Sequence, residues 1–372
     1  MTDLQTCIDG LADLVGRAIS VEDRQFRLVA HSAHDGAADA VRRASILSRR
    51  STPEVVEYLG SCGIEHALGI AEVPSNPELG MDARLCVALR HDGLLLGFMW
   101  ILNGAVPPGE TERSALIAGA AVAAACLWKR RRDDDARRQS LASNLAQLLS
   151  GSDLTAAAHA VLADLGWPND GPFVAALGLG DADAGDRARR RWRHGELALG
   201  VWRGRVLVVA HLPRSADPEE LAATLQTAGA DRAGVGGIVR RLEELAVSVD
   251  GAEIAVLVAE ADGRPTATLE HLGAWALITE LWVAAGRPAA PPMIARLEAH
   301  RHGQDLVRTL EATLDAGGNM AAAAEELHIH RATLYRRLER IAELTGLDLD
   351  DGDDRLLAHL GLRLRRLSRL MR

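Results

Sequence analysis

Several residue types that mark particular protein classes are scarce in this sequence of 372 residues. Lys129 is the only lysine, so arginine carries nearly all of the positive charge. The four cysteines, Cys7, Cys62, Cys86 and Cys126, include no CxxC pair, and this spacing suggests neither a zinc site nor a disulfide framework. We therefore expect buried free thiols in a reducing compartment, with a thiol-based redox sensor as the alternative.

No stretch of the sequence is suited to crossing a membrane. The longest apolar run, 116–128, has about 13 residues and is rich in alanine, whereas a spanning helix needs about 20 strongly apolar residues. The first residues include Asp3, Asp9 and Asp13 and no basic residue before Arg17, unlike the basic start of a secretory signal. We expect a cytoplasmic protein without a membrane partner.

The charge and the length set further limits. A net charge of -9 argues against a protein that binds nucleic acid over its whole surface. It is compatible with one small basic surface. At roughly 100–200 residues per domain, the length predicts two or three domains. We expect an α/β multidomain chain.

The first segment, 1–128, combines helical and strand patterns. Apolar residues recur at helical spacing in 3–18, and Asp92-Gly93 separates two apolar runs. Asp-Gly in this position predicts a hairpin, because both central residues of a type I′ turn need a positive φ. The order of elements resembles the GAF/PAS-like sensory fold, which implies an α+β domain with a ligand pocket. Phe98, Met99 and Trp100 then either line this pocket or fill the core.

A long helix is predicted from Glu110 to about Leu149, because no proline interrupts the pattern. Its middle contains a basic run, 129–132, followed by an acidic run, 133–135. The basic run could form a nucleic-acid patch, but the adjacent acids offset much of its charge. We therefore assign 129–152 to a solvated connecting helix.

The middle segment, 153–285, alternates predicted strands and helices in an order that resembles a GGDEF-like domain. A working cyclase of that class needs carboxylates at one turn to hold magnesium. The matching turn here, 202–207, contains Arg203 and Arg205 and no carboxylate, so the domain is degenerate and cyclase activity is not expected. The glycines of 234–237 lack the P-loop pattern and predict a tight turn. A further helix is predicted over Ile238–Leu245.

A linker is predicted over 286–300, because three prolines fall within five residues from Pro288 to Pro292. The remaining segment, 301–372, has the pattern of an all-α domain. Asn319 is a suitable N-cap for a short helix, and a second helix is predicted over Arg331–Thr345, with Gly346 as its C-cap.

The second helix is locally basic. It carries four arginines and two glutamates, a net charge of +2 that contrasts with the acidic chain. A basic second helix with its polar residues near the N-terminal end is typical of helix-turn-helix motifs that enter the major groove. The alternative is an ordinary amphipathic helix in an α-bundle. The candidate DNA-binding residues are Arg331, Ala332, Thr333, Tyr335, Arg336, Arg337 and Arg340.

Several linked motifs in 309–349 resemble the C-terminal helix-turn-helix of PucR/CdaR-type transcriptional regulators. They include Gly317-Gly-Asn, the run from Ala323 to Ile341 and Thr345-Gly-Leu-Asp-Leu. The resemblance implies that the chain binds double-stranded DNA. Ala332 stands where the family usually has a polar residue and Arg336 where it usually has tyrosine, so the target sequence is not implied.

Two further features of this segment have competing interpretations. His328 and His330 could suggest a metal site, but no cysteine or acid accompanies them at ligand spacing, and we expect neither metal nor cofactor. The tail from Arg363 to Arg372 has five arginines and no acid. It either contacts DNA phosphates or closes the domain.

The sequence therefore predicts a DNA-binding transcriptional regulator that responds to an unidentified small-molecule effector. A signalling enzyme of the cyclase class and a ligand-binding scaffold without DNA binding are the alternatives. We also expect a homodimer or larger assembly, because helix-turn-helix proteins usually pair two half-sites. Leu116, Val122, Ala123 and Leu127 of the long helix are the expected contact, unless that helix breaks near Asp133 and folds back.

Overall fold

The computed structural model describes residues 3–33, 39–102, 106–180 and 183–370. The chain divides into two compact units, Met1–Arg137 and Arg138–Arg372. Both units contain a five-stranded sheet covered by helices, which confirms the expected mixed α/β class. No helix within the described ranges has the length and apolar character that a membrane crossing requires.

The first unit has a wholly antiparallel sheet in the order β2-β1-β5-β4-β3. The hairpin predicted at Asp92-Gly93 is confirmed, with φ values of 48° and 78° at its two central residues. The elements are α1 (Leu4–Val15), β1 (Ile19–Asp23), β2 (Leu28–His31), α2 (Ala40–Ser48), α3 (Pro53–Ser61), β3 (Ile70–Val73), β4 (Arg84–His91), β5 (Leu94–Leu102) and α4 (Glu110–Ser150).

Each face of this sheet has its own core. Met99 and Ile101 of β5 pack with α1 and the first part of α4, whereas Phe98 and Trp100 pack with α3 on the opposite face. This alternation follows from the two-residue period of a strand. Phe98 and Met99 are fully buried core residues, and Trp100 both packs in the core and borders a small cavity that Glu22 also lines.

Helix α4 is continuous over 41 residues, as predicted, and does not break near Asp133. Residues 129–140 are all exposed, but Leu141, Leu145 and Leu148 pack in the core of the second unit, so only the first half of the predicted connecting segment 129–152 is solvated. The predicted dimer contact needs correction, because Leu116, Ala123 and Leu127 are buried in the core of their own unit. Only Val122 of that set is exposed.

The second unit has a sheet in the order β10-β9-β6-β8-β7, in which only β9 and β10 are parallel. Its first elements are α5 (Leu154–Leu165), β6 (Phe173–Gly180), α6 (Ala184–Arg191), β7 (Leu197–Trp202), β8 (Arg205–His211), α7 (Pro218–Thr227), β9 (Ala230–Val235), α8 (Leu245–Ala261), β10 (Thr266–Thr268) and α9 (Ala274–Ala284).

The glycines of 234–237 do not form the tight turn that we predicted. Gly234 lies within β9, and Gly236 directly follows that strand. A Cβ atom at Gly234 would collide with the backbone of Val256, and one at Gly236 with the carbonyl oxygen of Ser248. These glycines therefore allow the backbone of α8 to approach the sheet closely.

Two further predictions are corrected here. The helix expected over Ile238–Leu245 is reduced to one 3₁₀ turn, Leu242–Glu244, because Val239 pairs with Phe173 as an isolated bridge and α8 begins only at Leu245. The linker expected over 286–300 is shorter, since a helix begins at Pro292. Proline suits the first turn of a helix, whose N–H groups have no intrahelical partner.

This additional helix belongs to the C-terminal domain. Met293, Ile294 and Leu297 pack in one core with Leu306, Leu310 and Leu314 of the next helix. The elements of the domain are α10 (Pro292–Ala299), α11 (Gly303–Asp315), α12 (Met320–Glu326), α13 (Arg331–Thr345) and α14 (Gly352–Arg369).

Candidate nucleic-acid interface

Helices α12 and α13 form the predicted pair, joined by a short turn. The side chain of Asn319 accepts the N–H groups of Ala321 and Ala322 and so caps α12. Ala323 and Ala324 pack against Leu334 of α13, where their small side chains permit close helix contact. The turn passes through His328, whose φ of 52° changes the chain direction.

The ring of His330 has a structural role that we had not predicted from the sequence. Its Nδ1 accepts the N–H of Ala332 at 3.3 Å and thereby caps α13. The position directly before a predicted helix start is the signal that could have indicated this role. In the described part of the chain, no three potential ligands from His, Cys, Asp and Glu form a metal site.

Four of the seven candidate DNA-binding residues are exposed at the N-terminal half of α13. Arg331, Ala332, Tyr335 and Arg336 face solvent, while Leu334 is fully buried beneath them. The guanidinium groups of Arg331 and Arg336 have no hydrogen bond or ion pair with any residue that the structure describes. Both cations are therefore available to an external partner.

The remaining three candidates either contact other residues of the domain or are partly buried. Arg337 turns towards α11, where it donates to Thr309 Oγ1 at 3.2 Å and lies 3.6 Å from a carboxylate oxygen of Asp305. Arg340 is exposed but pairs with Glu343 at 2.6 Å. Thr333 is half-buried. The long-range partner of Arg337 could not be read from helical spacing, and this contact gives Arg337 a positioning role within the domain.

Three arginines of the C-terminal tail form ion pairs with acids of the second unit. Arg365 pairs with Glu298 at 2.6 Å, and Arg369 reaches the same carboxylate at 2.8 Å. Arg366 pairs with Asp262, near the end of α8. These pairs favour domain closure over phosphate contact for the three side chains, while Arg372 lies outside the described residues.

The turn between β7 and β8, which would hold metal in a cyclase, carries arginines that pair with a buried carboxylate. Arg203 and Arg205 lie 2.7 and 3.5 Å from the carboxylate of Glu253, a residue of α8 that is 93% buried on its side chain. Arg287 reaches the same carboxylate at 3.3 Å. Three cations surround one acid, so this turn presents positive charge where a metal ion would need negative ligands.

The first unit contains a small cavity of about 20 Å³ with a mixed polar and apolar lining, enough for roughly one water molecule. Glu22 borders it and accepts hydrogen bonds from Ser51 Oγ and Trp100 Nε1, both at 2.9 Å. Burial raises the pKa of Glu22 to about 7, although these two donors and the nearby Arg84 oppose the shift. Arg42 and Arg84, both buried, also line the cavity.

Two domain families match the chain. Residues 306–364 match the PucR C-terminal helix-turn-helix domain, and residues 150–258 match the GGDEF-like domain. The first match contains α12, the turn and α13. The second includes the sheet of the second unit up to β9 and most of α8, together with the turn at Arg203-Gly204.

Two curated proteins and one solved structure are similar to all or part of this chain. The DNA-binding transcriptional activator AdeR of Bacillus subtilis (strain 168) is 22% identical over 98% of this chain and 93% of its own length. The carbohydrate diacid regulator of Escherichia coli (strain K12) is 46% identical over 71 residues, which is 19% of this chain and 18% of that protein. A crystal structure of a regulator of polyketide synthase expression from Bifidobacterium adolescentis is 18% identical, with a TM-score of 0.32 over 61% of this chain and 92% of that one.

Proposed function

We propose that this chain, a PucR/CdaR-type protein with its helix-turn-helix domain behind a GGDEF-like domain, is a transcriptional regulator that reads DNA with α13. The observation that carries the proposal is the pair of exposed cations, Arg331 and Arg336, at the N-terminal half of that helix. Tyr335, Ala332 and Thr333 lie beside them. In helix-turn-helix proteins this part of the second helix contacts base edges in the major groove.

The direct test is selection of DNA by the purified full-length chain. Fragments of the source genome are incubated with the protein at fixed salt in excess unrelated DNA, and the bound fragments are sequenced. We expect a small number of enriched sites that share one sequence, because base contacts add specificity to phosphate binding. Uniform retention of all fragments, or none, would contradict the proposal.

We further propose that a small molecule controls DNA binding and that the chain catalyses no cyclase reaction. The resemblance of the first unit to a sensory fold supports the effector, whereas the cavity at Glu22 has room for about one water molecule and is too small to hold it. The arginine-rich turn around Glu253 opposes a cyclase, since cations at 2.7–3.5 Å occupy the carboxylate nearest the turn. A regulator must reach the chromosome, so we place its action in the cytoplasm.

The homodimer remains part of the proposal, but through another face of α4. Ile117, Ala118, Ala121, Val122 and Ala125 are exposed and recur every three or four residues on the outer side of that helix. Small and branched apolar side chains in such a stripe permit close contact between two helices. The opposite side of the helix is already filled by the core of its own unit.

Light scattering of the full chain tests this assembly. We expect twice the chain mass of 39.7 kDa at micromolar concentration, and about 40 kDa after a double Ile117→Glu, Val122→Glu substitution, because the charges would be buried at the contact. Leu47→Glu is the control, since Leu47 is 86% exposed on α2. A wild-type monomer contradicts the dimer, and an intact dimer in the double variant contradicts the interface.

A further inference from the structure

The short connection between α10 and α11 carries three basic residues in succession, His300, Arg301 and His302. Arg301 and His302 are exposed, and His300 is half-buried. Helix α10 packs against α13, and the guanidinium of Arg340 on α13 reaches the ring of His300. We refer to these four residues as the basic corner of the DNA-binding domain.

Two N–H groups point at the two ring nitrogens of His300. The backbone N–H of His302 points at Nδ1, with 3.2 Å between the two nitrogens. Nη2 of Arg340 lies 3.4 Å from the other ring nitrogen, Nε2. A neutral imidazole has one N–H and one acceptor nitrogen, so it can accept only one of these two donors. In the other contact, two N–H groups must face each other.

The ring of His300 is neutral at neutral pH, because its pKa is lowered. Burial lowers this pKa, and so do the positive charges of Arg340, Arg301 and His302. A second proton on the ring would not remove the conflict, since both ring nitrogens would then be donors. The contact therefore needs an acceptor from outside the ring.

The conflict falls on the contact with Arg340. The backbone fixes the N–H of His302, because the next N–H, of Gly303, donates to the carbonyl oxygen of His300 at 2.8 Å. Nδ1 is therefore the acceptor, and Nε2 carries the proton opposite Nη2. Glu343 accepts from Nη1 of Arg340 at 2.6 Å and so keeps the guanidinium beside the ring. Neither Nε2 nor Nη2 has an acceptor among the described residues.

We propose that the basic corner binds a phosphate group of the DNA backbone, and that one phosphate oxygen accepts from both Nε2 of His300 and Nη2 of Arg340. A phosphate oxygen supplies the lone pairs and the negative charge that these two donors lack. Arg301 and His302 add positive potential beside them. The proposal rests on the proposed function, because it takes DNA as the partner of α13.

The place of the basic corner on the domain favours DNA over a free anion. Arg336 and Arg340 are four residues apart, so they lie on one side of α13. When the N-terminal half of this helix contacts base edges in the major groove, neighbouring side chains meet the phosphates that border the groove. Such a contact holds the protein in position on the duplex and carries no sequence information.

Gel-shift titration of the full chain at fixed salt tests the contact, with an enriched site and an unrelated duplex as probes. His300→Asn keeps an acceptor for the N–H of His302, as asparagine does in Asx turns, and removes Nε2. Arg340→Ala removes Nη2. We expect each variant to bind both probes about tenfold more weakly, because a hydrogen bond to a charged group is lost, and to keep the preference for the enriched site.

The variants are compared with two controls. Arg308→Ala removes an exposed positive charge from α11, and His159→Asn repeats the histidine substitution on the exposed side of α5. Neither residue contacts His300 or Arg340, so both controls should bind within about twofold of the wild-type chain. The double variant His300→Asn, Arg340→Ala should bind about as weakly as Arg340→Ala alone, because both donors share one oxygen.

Three results overturn the proposal. In the first, His300→Asn and Arg340→Ala bind the unrelated duplex as tightly as the wild-type chain does. In the second, the losses of the two variants add in full in the double variant, so the donors do not share an oxygen. In the third, inorganic phosphate raises the melting temperature of the wild-type chain but not that of Arg340→Ala, and the DNA affinity of both variants is unchanged. The basic corner would then hold a free anion.

Failure of the proposed function gives a different pattern. If genomic selection enriches no site, but both variants still bind the unrelated duplex about tenfold more weakly, sequence reading by α13 is contradicted and the phosphate contact is supported. A wild-type chain that binds neither probe contradicts both proposals.

Discussion

Replacing Gly236 with alanine is expected to destabilise the GGDEF-like domain by about 3 kcal/mol or more. The added Cβ would lie well inside van der Waals distance of the carbonyl oxygen of Ser248 and 3.0 Å from the backbone nitrogen of Ala252. Both atoms belong to the backbone of α8, so no side-chain rotation can relieve the collision. The helix must move off the sheet, and Val249 and Ala252 would then lose contacts in the core.

Gly237→Ala is the matched control. A Cβ atom at Gly237 would meet only a terminal carbon of Leu269 at 3.7 Å, which is an ordinary contact. Urea unfolding followed by circular dichroism compares both variants with the wild-type chain. We expect a large decrease in the midpoint of the transition for Gly236→Ala and a small change for Gly237→Ala. Equal midpoints for the two variants would show that close approach of α8 does not require Gly236.

The role of these glycines could not be predicted from the sequence, whereas features that depend on local sequence could. The hairpin at Asp92-Gly93 and the helix Arg331–Thr345 depend on local backbone preferences and periodicity, and both were predicted. The role of Gly236 depends on a helix that begins nine residues later and folds back onto the strand. Glycine in a loop has the same appearance in the sequence whether it permits a turn or a close contact.

Charged residues and prolines likewise have roles that depend on residues distant in the sequence or on their position within a helix. The cluster of Arg203, Arg205 and Arg287 around Glu253 joins residues up to 84 positions apart, so no local pattern could predict it. Pro292 was interpreted as a helix breaker, yet it begins α10, because the first helical position tolerates proline. The exposed face of α13 was predictable, since its apolar stripe fixes which residues point outward.

The double variant Arg331→Ala, Arg336→Ala is expected to lose most sequence-specific DNA binding. A side chain that reads a base contributes about 1–3 kcal/mol, so two such losses weaken binding at least about 30-fold. Neither side chain stabilises the fold, because both are exposed and their guanidinium groups contact no residue that the structure describes. The variant should therefore unfold at the same temperature as the wild-type chain.

The control must remove the same charge without touching α13. Arg301 and Arg308 are exposed in the same domain, so Arg301→Ala, Arg308→Ala also changes the net charge by -2. Gel-shift titration at fixed salt compares both double variants on an enriched site and on unrelated DNA. If α13 reads bases, the Arg331→Ala, Arg336→Ala variant binds the enriched site no more tightly than unrelated DNA. The control variant still binds the enriched site more tightly. An equal loss in both variants would mean that the arginines of α13 act only through general charge and that other residues determine the sequence preference.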